Sequence, residues 1–290
     1  MKKGIDSRIL FVFAMLIFGS VGVFVKSITL SSGIITLTRG VIGSIIISLY
    51  VLISRTHLNF KQIKKQLPLL CISGAVMGGN WIFLFEAYKN MSVGVATVIY
   101  YFAPIIVFIA SFFLFRDKFS LPKLIGILSS VIGIIVINFD SSITSSTYGI
   151  FSAFMSAVLY AGVMIFNKYF KNLSGLETTL VQMVSATVML IIYVAVTERG
   201  TVFSPSMQEV IMLIIVGVIH TGFAYVIYFS SMQKMNTQNT AILSYIDPAS
   251  ALIFSTIFLN ERMSIMGIIG AVLILGGTIF SQLYKSKKEV

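Results

Sequence analysis

Four ionisable side chains stand where an apolar sequence should carry none. Asp247 and His220 fall near the middle of two long apolar runs, and Arg39 and Glu86 fall one or two turns inside the ends of two others. An ionisable residue at such depth is costly and marks a functional position by default. Asp247 could hold an amine or a proton, and His220 titrates close to neutral pH. Arg39 and Glu86, at similar expected depth, could neutralise each other, gate a path or bind a solute. A structural role stays open for each of the four: hydrogen-bonded packing, snorkelling or a buried ion pair.

Polar side chains accompany them at helical spacing. Thr240, Ser244, Asp247 and Ala251 fall on one helix face, and so do Gly217, Thr221, Ala224, Tyr228 and Ser231, with His220 beside them. Two such faces on consecutive helices must meet each other or a cavity. Tyr100, Tyr101, Tyr225, Tyr245 and Trp81 supply aromatic faces for stacking or for attraction of a cation, and Asn80 and Ser244 add hydrogen-bonding groups. Core filling is the alternative for any one aromatic. The expected binding set is therefore Asp247, Tyr101, Tyr245, Tyr100, Trp81, Asn80, Tyr225 and Ser244, with His220, Glu86 and Arg39 as coupling or gating residues.

Enzyme chemistry finds little to work with. The chain has two histidines, His57 and His220, on different elements, and one cysteine, Cys71. It shows no HExxH, GxSxG, Walker A or GxGxxG pattern, and a single thiol permits neither an internal disulfide nor a thiolate metal cluster. No metal, no cofactor and no catalytic residue is expected. An integral-membrane enzyme acting on lipid-linked substrates remains the distant alternative, and a channel would need polar pore rings that are not evident.

The elements that position these residues follow from composition. Charged residues make up 11% of the chain and apolar ones 57%, with a mean hydropathy of +0.97, against about a quarter charged in soluble domains. Apolar runs of about 20 residues, the length that crosses a bilayer as a helix, lie near 8–28, 33–54, 67–88, 93–115, 121–139, 147–168, 177–197, 209–231, 236–259 and 264–284. They are continuous rather than alternating, which favours helices over a barrel. The expected fold is all-α and integral to the membrane, with ten transmembrane helices and no sizeable soluble domain. The first run is too long for a signal-peptide core and is expected to be retained.

A net charge of +11 invites a nucleic-acid reading that its placement argues against. Lys2, Lys3 and Arg8 precede the first span; Arg55, Lys61, Lys64 and Lys65 follow the second; Arg116, Lys118 and Lys123 follow the fourth. Lys168 and Lys171 follow the sixth, Lys234 the eighth, and Lys285, Lys287 and Lys288 end the chain. Most of the basic residues thus share one side, which the positive-inside rule makes cytoplasmic together with both termini. Membrane lipid, not nucleic acid, is the expected macroscopic partner.

An internal repeat organises the whole. With Pro104 placed on Pro248, Met91 falls on Met235, Tyr101 on Tyr245, Ser111 on Ser255, Asp117 on Glu261, Gly126 on Gly270 and Gly133 on Gly277, without gaps. Two units result, 1–140 and 141–290. Five spans per unit is an odd number, so the second unit enters the membrane from the opposite side. Paired prolines remove backbone donors at matching depth and are expected to kink the fourth and ninth spans beside a central cavity. Inverted repeats with interrupted helices and polar residues at half depth are the marks of alternating-access carriers.

In these features the chain resembles the EamA type of the drug/metabolite transporter superfamily: the Gly19-bearing first span, Arg39 after the first outer loop, Pro104 and Pro248, and the paired segments RDKFSLPKLIG and NERMSIMGIIG. The resemblance implies a ten-helix, multi-pass carrier of the bacterial inner (plasma) membrane, often an exporter of amino acids or other small metabolites. It implies a cavity lined by the first, third, fourth, sixth, eighth and ninth spans. Asp247 matches no motif of that family, and its role rests on depth alone. The expected function is secondary transport of a small polar or zwitterionic metabolite, with proton coupling through Asp247 and His220. A facilitative or uptake carrier for a cationic amine is the runner-up, in a monomer or a homodimer.

Overall fold

The computed structural model describes residues 6–115, 121–138, 146–199, 204–232, 234–235, 240, 243–261 and 264–283. Its regular elements are helical: α1 Ser7–Lys26, α2 Ser32–Ile53, α3 Phe60–Asn90, α4 Val93–Tyr100, α5 Ala103–Phe115, α6 Leu121–Asn138, α7 Thr147–Tyr169, α8 Gly175–Thr197 and α9 Met207–Gly217. A π-helical segment, Val218–Phe223, joins α9 to α10 at Ala224–Met232, and α11 Ile246–Leu259 and α12 Ile265–Leu283 follow. Seven helical stretches are long and apolar enough to cross a membrane, and three shorter apolar helices accompany them. The protein is a multi-pass membrane protein.

Local chemistry sets the helix starts. Side chains of Asp6, Ser31, Asn59, Ser146, Ser174 and Ser206 each accept a bond from an amide of the first turn, which satisfies donors that a helix leaves open. Ser174 with Glu177 and Ser206 with Glu209 form full capping boxes. The Asn59 cap explains one departure from expectation: α3 begins at Phe60 rather than near residue 67. Its 31 residues make a rod of about 46 Å at 1.5 Å per residue, longer than the roughly 30 Å hydrocarbon core.

The fourth span departs too. It is not one kinked helix but two, with Tyr101 and Phe102 in a turn between α4 and α5, so that Pro104 sits in the first turn of α5. A proline disfavours helical backbone in the residue before it and clashes with the turn behind, and it is tolerated in a first turn. The ninth span repeats the pattern, with Tyr245 outside α11 and Pro248 its third residue.

Contacts fix how the helices run. Lys26, at the end of α1, bonds the Met91 carbonyl; Ser146, at the start of α7, donates its amide to the Asn90 carbonyl beside it. The helix that opens the second unit therefore starts where the helix that opens the first one stops. In the α6–α12 pair, a Cβ at Gly133 would meet the Gly270 carbonyl at 2.6 Å and one at Gly277 would meet the Gly126 carbonyl at 2.6 Å. Early residues of one helix meet late residues of the other, so this pair is antiparallel. Ser129 and Ser130 bond the Leu273 and Ile274 carbonyls across it.

Adjacent glycines of α12 make the packing testable. Gly276 has nothing within 4 Å of an added Cβ, whereas Gly277 would strike a carbonyl and the Ser130 Oγ at 2.7 Å. Gly276→Ala should leave the apparent Tm of the purified protein unchanged or higher by helix propensity. Gly277→Ala should lower it by several degrees, as overpacking of about 1–3 kcal/mol implies. Thermal unfolding in detergent compares the two.

Candidate functional site

A cavity of about 600 Å³ lies among the helices and is lined by residues of α1, α2, α3, α4, α7, α8, the π-helical segment, α10 and α11, and by Tyr101, Phe170, Leu173 and Ser244 between helices. Its wall reaches Phe170, Leu173 and Met232 at one end and stops at Tyr88 and Thr97 towards the other. Asp247, Tyr101, Tyr100, Trp81, Asn80, Tyr225, Ser244, His220 and Arg39 all line it. Tyr245 and Glu86 do not.

Arg39 is 5% exposed and is held by shape as much as by charge. Its guanidinium lies over the Trp81 ring at 4.4 Å and the Phe85 ring at 5.1 Å, on successive turns of α3, an attraction of about 2 kcal/mol for a desolvated cation. Nε donates to Thr221 Oγ1 at 3.1 Å. Thr221 is available because the chain is π-helical there: its hydroxyl donates to the Val216 carbonyl at 2.9 Å. Glycines bracket that segment, and Ile42 and Ile46 of α2 press on Gly217 and Gly222, which sets α2 at the distance Arg39 needs. Among the described residues the terminal guanidinium nitrogens have no protein acceptor. The expected neutralisation by Glu86 is not what is seen. Glu86 lies outside the cavity and accepts from the Asn90 side chain at 3.4 Å, because α3 turns Trp81 and Phe85 to Arg39 and points Glu86 away.

His220 occupies the same π-helical segment, 2% exposed. Its Nε2 meets Ser20 Oγ of α1 at 2.9 Å, and its ring packs on Phe24 at 4.8 Å between centroids. π-Helical turns are rare and concentrate at functional sites.

Asp247 stands in the first turn of α11 and accepts a hydrogen bond from Tyr101. The Tyr101 hydroxyl lies 2.8 Å from Asp247 Oδ2 and 3.1 Å from the Ser244 carbonyl. That carbonyl is the one Pro248 deprives of its helical donor, so a tyrosine from the first unit replaces the missing amide of the second. The α1 helix approaches closely here, since a Cβ on Gly19 would clash with Ser250 Oγ and meet the Asp247 carbonyl at 2.6 Å. Aromatic rings close the walls: Tyr100 stacks on Tyr160 at 4.8 Å, and Phe18 packs edge-on against Tyr225 at 5.3 Å. Asn80 is committed in part, donating to the Ser156 carbonyl at 2.7 Å. Tyr245 tilts against Tyr101 at 5.8 Å, outside the lining, and its buried hydroxyl has no partner among the described residues.

Past Thr97, at the Lys26 end of α1, lies a cluster of polar contacts. Lys26 Nζ contacts Glu261 Oε1 at 2.5 Å, and Glu261 Oε2 accepts from Ser92 Oγ at 3.0 Å and the Val93 amide at 2.8 Å. Ser92 makes no side-chain cap of its own, so a carboxylate from the other unit caps α4 instead, where the helix dipole favours it. Left-handed Asn260 ends α11 and turns Glu261 inward. Glu209 accepts from the Thr29 amide and hydroxyl, and Lys89 bonds the Leu30 carbonyl, at the same end.

A model of the EamA-like transporter family matches residues 7–139 and, a second time, residues 147–283. The chain belongs to the EamA-like transporter family. Among curated proteins it is 28% identical over 280 residues to YxxF, an uncharacterized transporter of Bacillus subtilis (strain 168), covering 95% of this chain and 89% of that one. It is 24% identical over 257 residues to YoaV of the same organism, also an uncharacterized transporter, covering 86% of each. A solved crystal structure covers 96% of this chain and 97% of its own at a TM-score of 0.68 and 16% identity, a likeness of fold. The family and these relatives are transporters, not enzymes.

Within this family member, sequence reasoning missed a wall. Thr178, Thr179 and Gln182 of α8 line the cavity, with Asn167 of α7, although the seventh span was not expected to do so. Gln182 donates to Ser73 at 2.6 Å and to Asn167 at 2.9 Å. Their spacing on one helix face was the available signal. Thr221→Val should destabilise the protein by about 1–3 kcal/mol, because it leaves a buried cationic donor without its acceptor, whereas Thr221→Ser should be close to neutral. Thermal unfolding of the two variants checks this.

Proposed function

We propose that this protein is a secondary transporter of the bacterial inner (plasma) membrane, moving a small polar or zwitterionic metabolite of the amino-acid or amine class by alternating access. The observation that carries the reading is that Arg39 and Asp247 line one cavity without pairing with each other. Opposite charges in a low-dielectric site attract strongly, so a pair held apart suits a ligand that brings both charges. A carboxylate would take the unpartnered guanidinium nitrogens, an ammonium would take Asp247, and the tyrosines would flank the rest. Arg39 weighs against the runner-up, a carrier for a simple cationic amine. Export as the direction rests on the family resemblance.

Two inverted five-helix halves, 1–140 and 141–290, supply the rocking elements. The opposed run of α1 and α7 and the antiparallel α6–α12 pair support inversion. With the termini cytoplasmic, as the basic residues indicate, the Lys26–Glu261 clamp is an outer gate and the cavity faces the cytoplasm.

Proton coupling has a physical support at Asp247. Tyr101 has one hydroxyl proton and two acceptors at hand. With Asp247 protonated, the acid donates to Tyr101 and Tyr101 to the Ser244 carbonyl, and every group is satisfied. An arriving ammonium replaces that proton, which leaves to water: one proton exchanged for one cationic centre. The titratable groups around Asp247 are Tyr88, Tyr100, Tyr101, Tyr160, Tyr225 and Tyr228.

Counterflow in proteoliposomes tests the reading. Asp247→Asn should lower uptake of labelled amino acids and amines at least tenfold, as loss of a buried charge contact of roughly 2–5 kcal/mol implies; unchanged uptake removes Asp247 from the site. Arg39→Gln should depress uptake of amino acids and spare amines that lack a carboxylate. Transport by the unmodified protein should follow an imposed pH gradient, and indifference to it would leave facilitated diffusion. Glu261→Gln should raise labelling of cysteines placed in the cavity by an impermeant reagent from outside.

A further inference from the structure

A second cavity, of about 780 Å³, opens on the outer surface of the helices and shares no lining residue with the first. Its walls are the start of α3, with Phe60, Ile63 and Leu67, and the face of α8 bearing Val184 and Val188, and Leu58 closes one end. The sequence makes this groove by changing residue size along α3. Gly74 and Gly78 let α3 touch α8, at the Gln182 carbonyl and at Met189, and the larger side chains from Cys71 back to Phe60 hold the helices apart. Beyond the lysine-bearing start of α3 the groove follows α8 from Leu180 to Tyr193, about 20 Å at 1.5 Å per residue. That is of the order of one leaflet's half of a roughly 30 Å hydrocarbon core.

The mouth is basic. Lys64 lies one turn after Phe60 and one turn before Leu67, hence at the rim beside these lining residues; Lys61 is one turn before Lys64, and Arg55 and His57 precede Leu58. All four are exposed, and among the described residues none forms an ion pair. Glu177, the acid at the neighbouring start of α8, is taken up by the Asn59 amide at 2.6 Å and the Ser174 amide at 2.7 Å, so it leaves the lysines their charge.

We propose that this groove binds one anionic phospholipid, with an acyl chain along α3 and α8 and its phosphate against Lys61 and Lys64. The apolar channel accounts for the chain, its length for a single leaflet, and the uncompensated cations at its mouth for the headgroup charge. The site stands apart from the transport reading, since it lies on another face and uses other residues.

Native mass spectrometry of the full chain in neutral detergent, given equal amounts of phosphatidylglycerol and phosphatidylcholine of matched chains, tests the proposal. One phosphatidylglycerol per chain should be retained with roughly tenfold preference, because its headgroup is net anionic whereas choline offsets the phosphate of phosphatidylcholine, and each nearby lysine adds about 1 kcal/mol of attraction to anionic lipid. K61Q/K64Q should abolish the preference, and V184W should lose both lipids. All three positions are exposed, so an unchanged Tm verifies folding. Equal retention of the two lipids, retention of neither, a preference that survives K61Q/K64Q, or undiminished binding by V184W would overturn the site. Binding of glycerol phosphate as tightly as the intact lipid would also overturn it, by showing a phosphate site without a chain groove.

Discussion

In hydrocarbon a polar group without a partner has no water to turn to, and that constraint shapes this protein from the backbone outward. Each proline placed inside a span releases a carbonyl, and each released carbonyl needs a donor from elsewhere. Tyr101 supplies it for Ser244, across the two units. The same hydroxyl touches Asp247, so the repair of a broken helix and the placement of the deepest acid are one arrangement.

The repeat makes the same argument in reverse. Pro104 releases the Tyr100 carbonyl as Pro248 releases that of Ser244, and Tyr245 corresponds to Tyr101. Yet Tyr245's hydroxyl is unpartnered among the described residues, and Ala103 stands where Asp247 stands in the second unit. Ala103 packs with Ala157 and Ala161 of α7, whereas the second unit brings Gly19 of α1 against the Asp247 and Ser250 backbone region. One unit has turned the break into packing and the other has kept it polar.

Legibility followed the same division. Apolar runs, the paired prolines and the glycine spacing are periodic signals; seven runs appear as long helices, and the prolines mark helix starts rather than kinks. The partners of buried charges were not periodic. Arg39 was visible as a deep cation, but whether α3 would present Trp81 or Glu86 to it depended on the rotation of a 31-residue helix that packing sets. Thr221 became its acceptor through a π-helical turn, which composition does not announce beyond the glycines at 217 and 222. The α8 wall was legible in its Thr178, Thr179 and Gln182 spacing and was overlooked because it lies among apolar residues.

The Lys26–Glu261 contact, proposed above as an outer gate, has a physical reason to lie at the ends of the helices and not at half depth. A lysine and a glutamate paired in the centre of the bilayer would have to recover the full desolvation of two ions, which their attraction seldom does. At the helix ends the side chains keep part of their hydration, 31% of Lys26 and 13% of Glu261 being exposed. Glu261 gains the open amide of α4 as well. Away from the helix ends, Arg39 and Asp247 line the cavity with neutral neighbours, Thr221 beside the one and Tyr101 beside the other, and are not paired with each other.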